Sequence, residues 1–237
     1  MLSEIRDAEV VMGLADAFAL DWLKAERPDF ESFAALYGDA KDRRRTYAEM
    51  VERMLDPLRR GKRVCAVFYG HPGVFARAPH EAVRQALAEG FSAFMEPGIS
   101  AEACLYADLG IDPGHCGVCS FEATQFLISE RQADPSAWLL LWQLALTGNL
   151  DCIGFEPEPA RLALLSEKLQ TWYPADSEVI LYEAAQLPVV PFRADRLRLA
   201  DLPTARLREH TTLVVPPTHP PATDRRWLTR LRAIRRP

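Results

Sequence analysis

Arg43 and Tyr47 stand four apart in what reads as one helix, which puts a guanidinium and a phenol on the same face. A guanidinium can steady a developing oxyanion, and a phenol can take or relay a proton. Tyr37, shortly before the helix, adds a second phenol. From the residues alone, the plainer reading is a core tyrosine and a solvated arginine at a helix start. A second chemistry-bearing stretch is Val64-Cys-Ala-Val-Phe-Tyr-Gly-His-Pro-Gly-Val-Phe75. Its five unbroken apolar residues predict a strand covered on both faces. The strand empties into Gly70, Pro72 and Gly73, which allow tight turns and close approach of backbone to a ligand. In open α/β sheets that junction is where small molecules bind. His71 could serve as a base, but its place between Gly70 and Pro72 favours a structural or cofactor-packing role. Cys116-Gly-Val-Cys119, beside His115, has CxxC spacing without a second ligand pair, while Cys65, Cys104 and Cys152 sit in apolar or isolated contexts. Reduced thiols are the reading there.

The elements that must position these residues follow from pattern and punctuation. Met1 to Asp7 reads as the end of a helix and runs straight into apolar Val10-Val11-Met12. No strand stands ahead of it, where an α/β fold would have one. Phe18 to Lys24 is helical up to Pro28, and a strong helix runs from about Arg43 to Arg60, stopped by Gly61. Met50, Met54 and Leu55, with Tyr47 one turn earlier, give that helix an apolar face. A helix from His80 to Glu89, a strand from Phe91 to Met95, and a helix from Ala101 to Leu109 capped by Ser100 come next. This alternation predicts a largely parallel sheet.

The turn cluster Gly110-Ile-Asp-Pro-Gly114 separates a first subdomain, residues 1–113, from a second, 114–217. The second has expected strands near Val118–Phe121, Trp138–Leu144, Val179–Tyr182 and Thr211–Val215, and helices near Ala123–Leu127 and Pro159–Tyr173. The tail, 218–237, carries Arg225, Arg226, Arg230, Arg232, Arg235 and Arg236 and reads as a solvated terminal helix rather than a dock for an acidic partner. Composition is ordinary for a globular chain of 237 residues, with 49% hydrophobic and 26% charged residues. A net charge of −5 gives no reason to expect nucleic acid. No leader sequence and no apolar span of membrane length is visible, so no membrane partner and a cytoplasmic location are expected.

Six motifs occur in order between Leu36 and Pro217: Tyr37 with Arg43-Arg-Arg-Thr-Tyr47, Phe68-Tyr-Gly-His-Pro-Gly-Val-Phe75, Glu96-Pro-Gly-Ile-Ser-Ala-Glu102, Ala107-Asp-Leu-Gly-Ile-Asp-Pro113, Phe121-Glu-Ala, and Leu141-Trp-Gln143. Together they resemble the borosin peptide-backbone α-N-methyltransferases, a branch of the S-adenosylmethionine-dependent tetrapyrrole (corrin/porphyrin) methylases. The chain looks most similar to the split bacterial type, which methylates a separate precursor. Two departures stand out. The family opens with a strand and a Gly-rich turn that have no counterpart here, and Ala34 stands where fused relatives carry a further tyrosine.

The resemblance implies an α/β fold of two subdomains with the cofactor in the cleft between them. It implies catalytic roles for Tyr37, Arg43 and Tyr47, with one tyrosine moving the amide proton while Arg43 lowers the phenol's pKa and steadies the oxyanion. It implies S-adenosylmethionine contacts at Tyr69, His71, Val74, Phe75, Ser100, Ala101, Gln143 and Tyr182, with Thr211 to Pro217 on the far side and S-adenosylhomocysteine as product. A precursor supplied in trans, a homodimer, and a heterotetramer with the precursor are implied as well. The rival readings are C-methylation of a tetrapyrrole or corrinoid precursor and an inactive methylase fold that captures a peptide.

Overall fold

The computed structural model describes residues 2–187 and 189–234, so Arg235 and Arg236 of the basic tail lie outside the described residues. The chain divides into two units. One holds the residues up to 108 together with 149–156 and 184–192, and the other holds 109–148, 157–183 and 193 onward.

The first unit is built on a parallel sheet. Its elements are α1 (Leu2–Asp7), β1 (Val10–Leu14), α2 (Ala17–Glu26), β2 (Glu31–Ser32), α3 (Arg43–Arg59), β3 (Val64–Phe68), α4 (Arg77–Ala88) and α5 (Ala101–Leu109). The strands lie in the order β2-β1-β3, with Val10 opposite Val64 and Leu14 opposite Phe68. The apolar Val10-Val11-Met12, which in sequence only followed a helix end, is therefore the middle strand, and its Val11 and Met12 are buried. Met12, Phe33, Met50, Met54 and Leu55 form the core between this sheet and α3.

Two expectations fail here for one reason. The unalternating run Val64–Phe68 is a strand, yet none of its residues is fully buried and Ala66 is exposed. It pairs with β1 on one side, and among the described residues no strand pairs with its other edge. Residues 91–96 alternate half-buried Phe91, Ala93 and Met95 with exposed Ser92, Phe94 and Glu96, as a strand would. Among the described residues, however, they pair with no strand. A period-two pattern selects the face that packs, but a ladder also needs a neighbour's backbone to bond.

The second unit has a mixed sheet. Its elements are α6 (Pro113–Cys116), β4 (Val118–Glu122), α7 (Ala123–Ile128), β5 (Trp138–Trp142), α8 (Pro159–Leu169), β6 (Glu178–Glu183), β7 (Arg193–Arg198), β8 (Thr212–Val215) and α9 (Arg225–Arg232). In the order β4-β5-β8-β6-β7, only the β4–β5 pair is parallel. The expected parallel sheet thus holds in the first unit and not in the second, where β6 and β7 run back on one another. Strand β7 (Arg-Ala-Asp-Arg-Leu-Arg) had no apolar signal because it is an edge strand with little to bury. Helix α9, capped by Asp224, has no buried residue. Among the described residues, no helix is long and apolar enough to cross a membrane.

The core of this unit gathers Leu139, Leu141, Leu165, Val179, Leu213 and Tyr173. The Tyr173 hydroxyl is enclosed with no hydrogen-bond partner among the described residues. Burial, with Cys119 and Asp134 nearby, pushes its pKa up to about 12. An unsatisfied buried hydroxyl costs stability that an apolar group of the same shape would not. Tyr173→Phe is therefore expected to raise the unfolding free energy by about 1 kcal/mol in chemical denaturation. A drop would show that the hydroxyl has a partner.

Candidate active site

The first turn of α3 is tied to a distant segment of the chain by several contacts. Asp42 caps the helix by accepting the Arg44 N–H at 2.8 Å, which starts the helix at Arg43. The Arg43 N–H donates to the carbonyl of Cys152 at 2.9 Å, and its guanidinium donates to the carbonyl of Gly154. The Phe155 ring lies under that guanidinium, 4.9 Å from its centre, and is tilted against the Tyr37 ring at 6.4 Å. Asn149 closes the segment on itself, its amide donating to the carbonyls of Ile153 (2.8 Å) and Gly154 (3.4 Å). Cys152 and Gly154 both have left-handed backbone, with φ of 57° and 66°. The segment 149–156 thus belongs to the first unit although it lies far along the chain from α3. Its contribution was invisible in the sequence, where nothing marks Asn149 or Phe155 as partners of Arg43.

Tyr37, Arg43 and Tyr47 come together as expected, with Tyr69 beside them: all three act on the ionisation of Tyr37. The direction differs from the expectation. Burial, then the neighbouring phenols of Tyr47 and Tyr69, drive the Tyr37 pKa well above its ordinary value, and the opposing pull of Arg43 is smaller. Tyr37 therefore holds its proton and is a hydrogen-bond donor at neutral pH. Tyr47 is half-buried and lines a groove of about 370 Å³ on this unit, together with Arg44, Arg77, Glu81 and Arg84.

The loop after β3 is fixed by its own backbone. The Tyr69 N–H donates to the Leu14 carbonyl (2.9 Å), and the Val74 N–H to the His71 carbonyl (3.1 Å). His71 Nδ1 accepts from the Gly73 N–H at 3.0 Å, and His80 Nε2 lies 2.9 Å from the Gly73 carbonyl. His71 is thus engaged in shaping the loop, and His80, which no motif singled out, supports it. Phe75 closes the loop with a left-handed φ of 50°. Gly98 packs directly on the loop: a Cβ there would stand 2.1 Å from the Gly70 carbonyl oxygen. Ser100 caps α5 as expected, its Oγ accepting from the Ala103 N–H at 3.4 Å, and Ala101 begins that helix.

The remaining site candidates lie in the second unit. Gln143 follows β5 in left-handed backbone (φ 56°, ψ 41°), a strained state for a residue with a side chain. Next to it the Leu144 N–H is held by the Thr211 carbonyl at 3.2 Å. Tyr182 is fully enclosed in β6, opposite Ala194 and Thr212, so its ring belongs to the core. Beyond it, Glu183 is 3% exposed and gathers Thr211 (2.6 Å), Arg193 (2.6 Å) and Arg208 (3.0 Å). Burial alone would raise that carboxyl's pKa; the bonds from Thr211 and Arg193 outweigh it and hold it below the usual range. This network also escaped the sequence reading. All five cysteines are free thiols, and among the described residues no His/Cys/Asp/Glu cluster could hold a metal ion.

The architecture is that of known methylases. It is similar to a cobalt precorrin-4 methyltransferase of cobalamin biosynthesis (TM-score 0.62, 18% identity, 91% of this chain and 86% of the other). It is similar also to a uroporphyrin-III C-methyltransferase from Thermus thermophilus (TM-score 0.62, 20% identity, 91% and 85%). The fold is the tetrapyrrole-methylase fold. The family model for Tetrapyrrole (Corrin/Porphyrin) Methylases matches residues 2–188, and the chain belongs to that family. In sequence it is similar to a methyltransferase/ribosomally synthesized cyclic peptide gymnopeptides precursor from Gymnopus fusipes (37% identity over 91% of this chain and 53% of the relative). A type I borosin cyclic peptide precursor fused to a methyltransferase, from Coprinopsis marcescibilis, gives 36% over 92% and 58%. The omphalotin A precursor of Omphalotus olearius, a similar fusion, gives 37% over 76% and 44%. The chain spans about half the length of the curated relatives it matches.

The Gly98 contact can be tested by itself. A methyl group forced onto the Gly70 carbonyl must move backbone, so Gly98→Ala is expected to cost about 1–3 kcal/mol of stability. Gly38→Ala, whose Cβ meets only Lys41 Cβ at an ordinary 3.6 Å, should change it by less than about 0.5 kcal/mol. Equal thermal melting of the two variants would contradict the close packing.

Proposed function

We propose that this chain is an S-adenosylmethionine-dependent methyltransferase that acts iteratively on backbone amide nitrogens of a separate precursor peptide, as in borosin biosynthesis. The observation that carries this reading is the meeting of Tyr37, Arg43 and Tyr47 on one unit, at the positions that the borosin resemblance assigns to catalysis. The similarity to relatives whose names join a methyltransferase to a cyclic-peptide precursor supports a peptide substrate. That the peptide is supplied in trans is proposed on the resemblance to the split type. A homodimer, and a heterotetramer with the precursor, are proposed on the family resemblance.

The residues present fit the cofactor. Gly98 lets the 97–101 turn pack directly on the Gly70 carbonyl, so the turn and the 69–75 loop form one fixed backbone surface suited to meeting a ligand through N–H and C=O groups. Tyr69, His71, Val74, Phe75, Ser100 and Ala101, all of the first unit, would hold it. S-adenosylmethionine, when bound, supplies an activated methyl group carried on a sulfonium.

An amide nitrogen is a poor nucleophile because its lone pair is shared with the carbonyl, at a rotational barrier of roughly 18–20 kcal/mol. In the proposed mechanism Arg43 donates to the substrate carbonyl oxygen and stabilises the negative charge that grows there as the N–H proton leaves. Tyr37 keeps its proton and adds a second hydrogen bond to that oxygen. Tyr47, one helical turn from Arg43, relays the amide proton, taking it at the phenol oxygen as its own proton passes to water. The product, a tertiary amide, has no donor and reaches cis more readily, which suits a peptide made to resist extended pairing.

The alternative, C-methylation of a tetrapyrrole, is the chemistry named for the fold neighbours. Turnover on peptide and on uroporphyrinogen III separates the two. Peptide is expected to be methylated and uroporphyrinogen III not. Arg43→Ala and Tyr47→Phe should each lower turnover on peptide about 100-fold, the scale of losing one oxyanion donor, with cofactor affinity nearly unchanged. Parent-like rates in both variants would remove the assignment.

A further inference from the structure

We infer that Asn149 and Phe155 are positioning residues that hold Arg43 by neutral contacts, so that its charge stays available to the reacting amide. This rests on the proposed reaction for its kinetic readout and on the structure alone for the geometry. Several other arginines around α3 are held by carboxylates. Arg44 pairs with Asp42, Arg53 with Glu31, Arg59 with Glu52 and Glu89, and Arg60 with Asp56. Each is more than a third exposed at its side chain, where water screens the pair. Arg43 is the reverse case. It is 7% exposed, and no carboxylate among the described residues pairs with it.

A buried guanidinium without a counter-ion is unfavourable unless dipoles or π-electrons replace the water it has lost. Here the Gly154 carbonyl supplies the dipole and the Phe155 ring, at 4.9 Å, supplies the π face. Neither neutralises the charge. A carboxylate would fix the side chain as firmly but would cancel much of the field that the growing oxyanion should feel. The guanidinium has five N–H donors, and the structure shows only the Gly154 bond, so the others remain for substrate.

Asn149 and the two left-handed residues explain how the clamp is built. Left-handed turns at Cys152 and Gly154 aim both carbonyls at the first residue of α3, one at its N–H and one at its guanidinium. The Asn149 amide shares the Gly154 carbonyl and ties that of Ile153, which holds the turn shut. Phe155 also touches the Tyr37 ring, so one side chain registers both groups that face the substrate carbonyl in the proposed mechanism.

The experiment uses the full chain and the variants Phe155→Leu, Phe155→Tyr and Asn149→Ala. Phe155→Leu keeps apolar bulk and loses the π face; it is expected to lower kcat for peptide methylation about 10-fold, with KM for S-adenosylmethionine within about 2-fold. Phe155→Tyr keeps the ring and should stay within about 2-fold of the parent, and Asn149→Ala should fall between. The second readout needs no turnover: ¹⁵N-resolved exchange of the Arg43 guanidinium protons, assigned with Arg43→Lys. These protons should exchange slowly in the parent and in Phe155→Tyr and quickly in Phe155→Leu. Fast exchange in the parent overturns the inference, as does an unchanged kcat in Phe155→Leu. Protection that Phe155→Leu abolishes, in a parent that methylates no peptide, upholds the clamp and sinks the proposed reaction instead.

Discussion

The proposed site depends on one unpaired buried cation. Arg43 sits at the start of a well-capped helix, withdrawn from water, with a carbonyl and an aromatic ring in place of an acid. Such a charge is costly, and the fold meets the cost with backbone geometry: two left-handed residues, one asparagine tether and one helix start locked together. Burial in the same corner keeps Tyr37 protonated. In the proposed mechanism Arg43 and Tyr37 donate to the oxyanion, and Tyr47 relays the amide proton.

The cofactor side follows a different rule. There, close backbone packing replaces side-chain chemistry. His71 and His80 bond to loop backbone instead of presenting free nitrogens, and Gly98 lets one turn lie directly on another. A loop shaped in this way would, in the proposed cofactor site, meet its ligand with fixed N–H and C=O groups. In the second unit, the strained Gln143 and the Glu183 network stabilise the ends of β5, β6 and β8 in the same spirit.

Much of this was legible in the sequence where the signal is local. The α3 helix, its stop at Gly61, the Ser100 cap and the Ala101–Leu109 helix depend on residues within a turn of one another, and they stand where expected. The triad of Tyr37, Arg43 and Tyr47 was legible through the family motif rather than through spacing, since a tyrosine and an arginine on one helical face are more often core and surface. What the sequence hid is non-local. Phe155 and Gly154 meet Arg43 across more than a hundred residues, and no periodicity records that. The edge position of β3 and the unpaired 91–96 segment were hidden too, because apolar patterning specifies which face is packed and not which strand supplies the hydrogen bonds. The antiparallel turn of the second sheet was missed for a related reason: strand β7 is polar and gives no apolar run to read.

The central claim is that the methyl group goes to the peptide backbone. Fragment-resolved mass spectrometry tests it directly, on a borosin-type precursor peptide after incubation with S-adenosylmethionine and the purified enzyme. The account predicts methyl increments, more than one per chain, that fragment with backbone nitrogens. Increments confined to side chains or termini, or none on a precursor that the enzyme demonstrably binds, would contradict it.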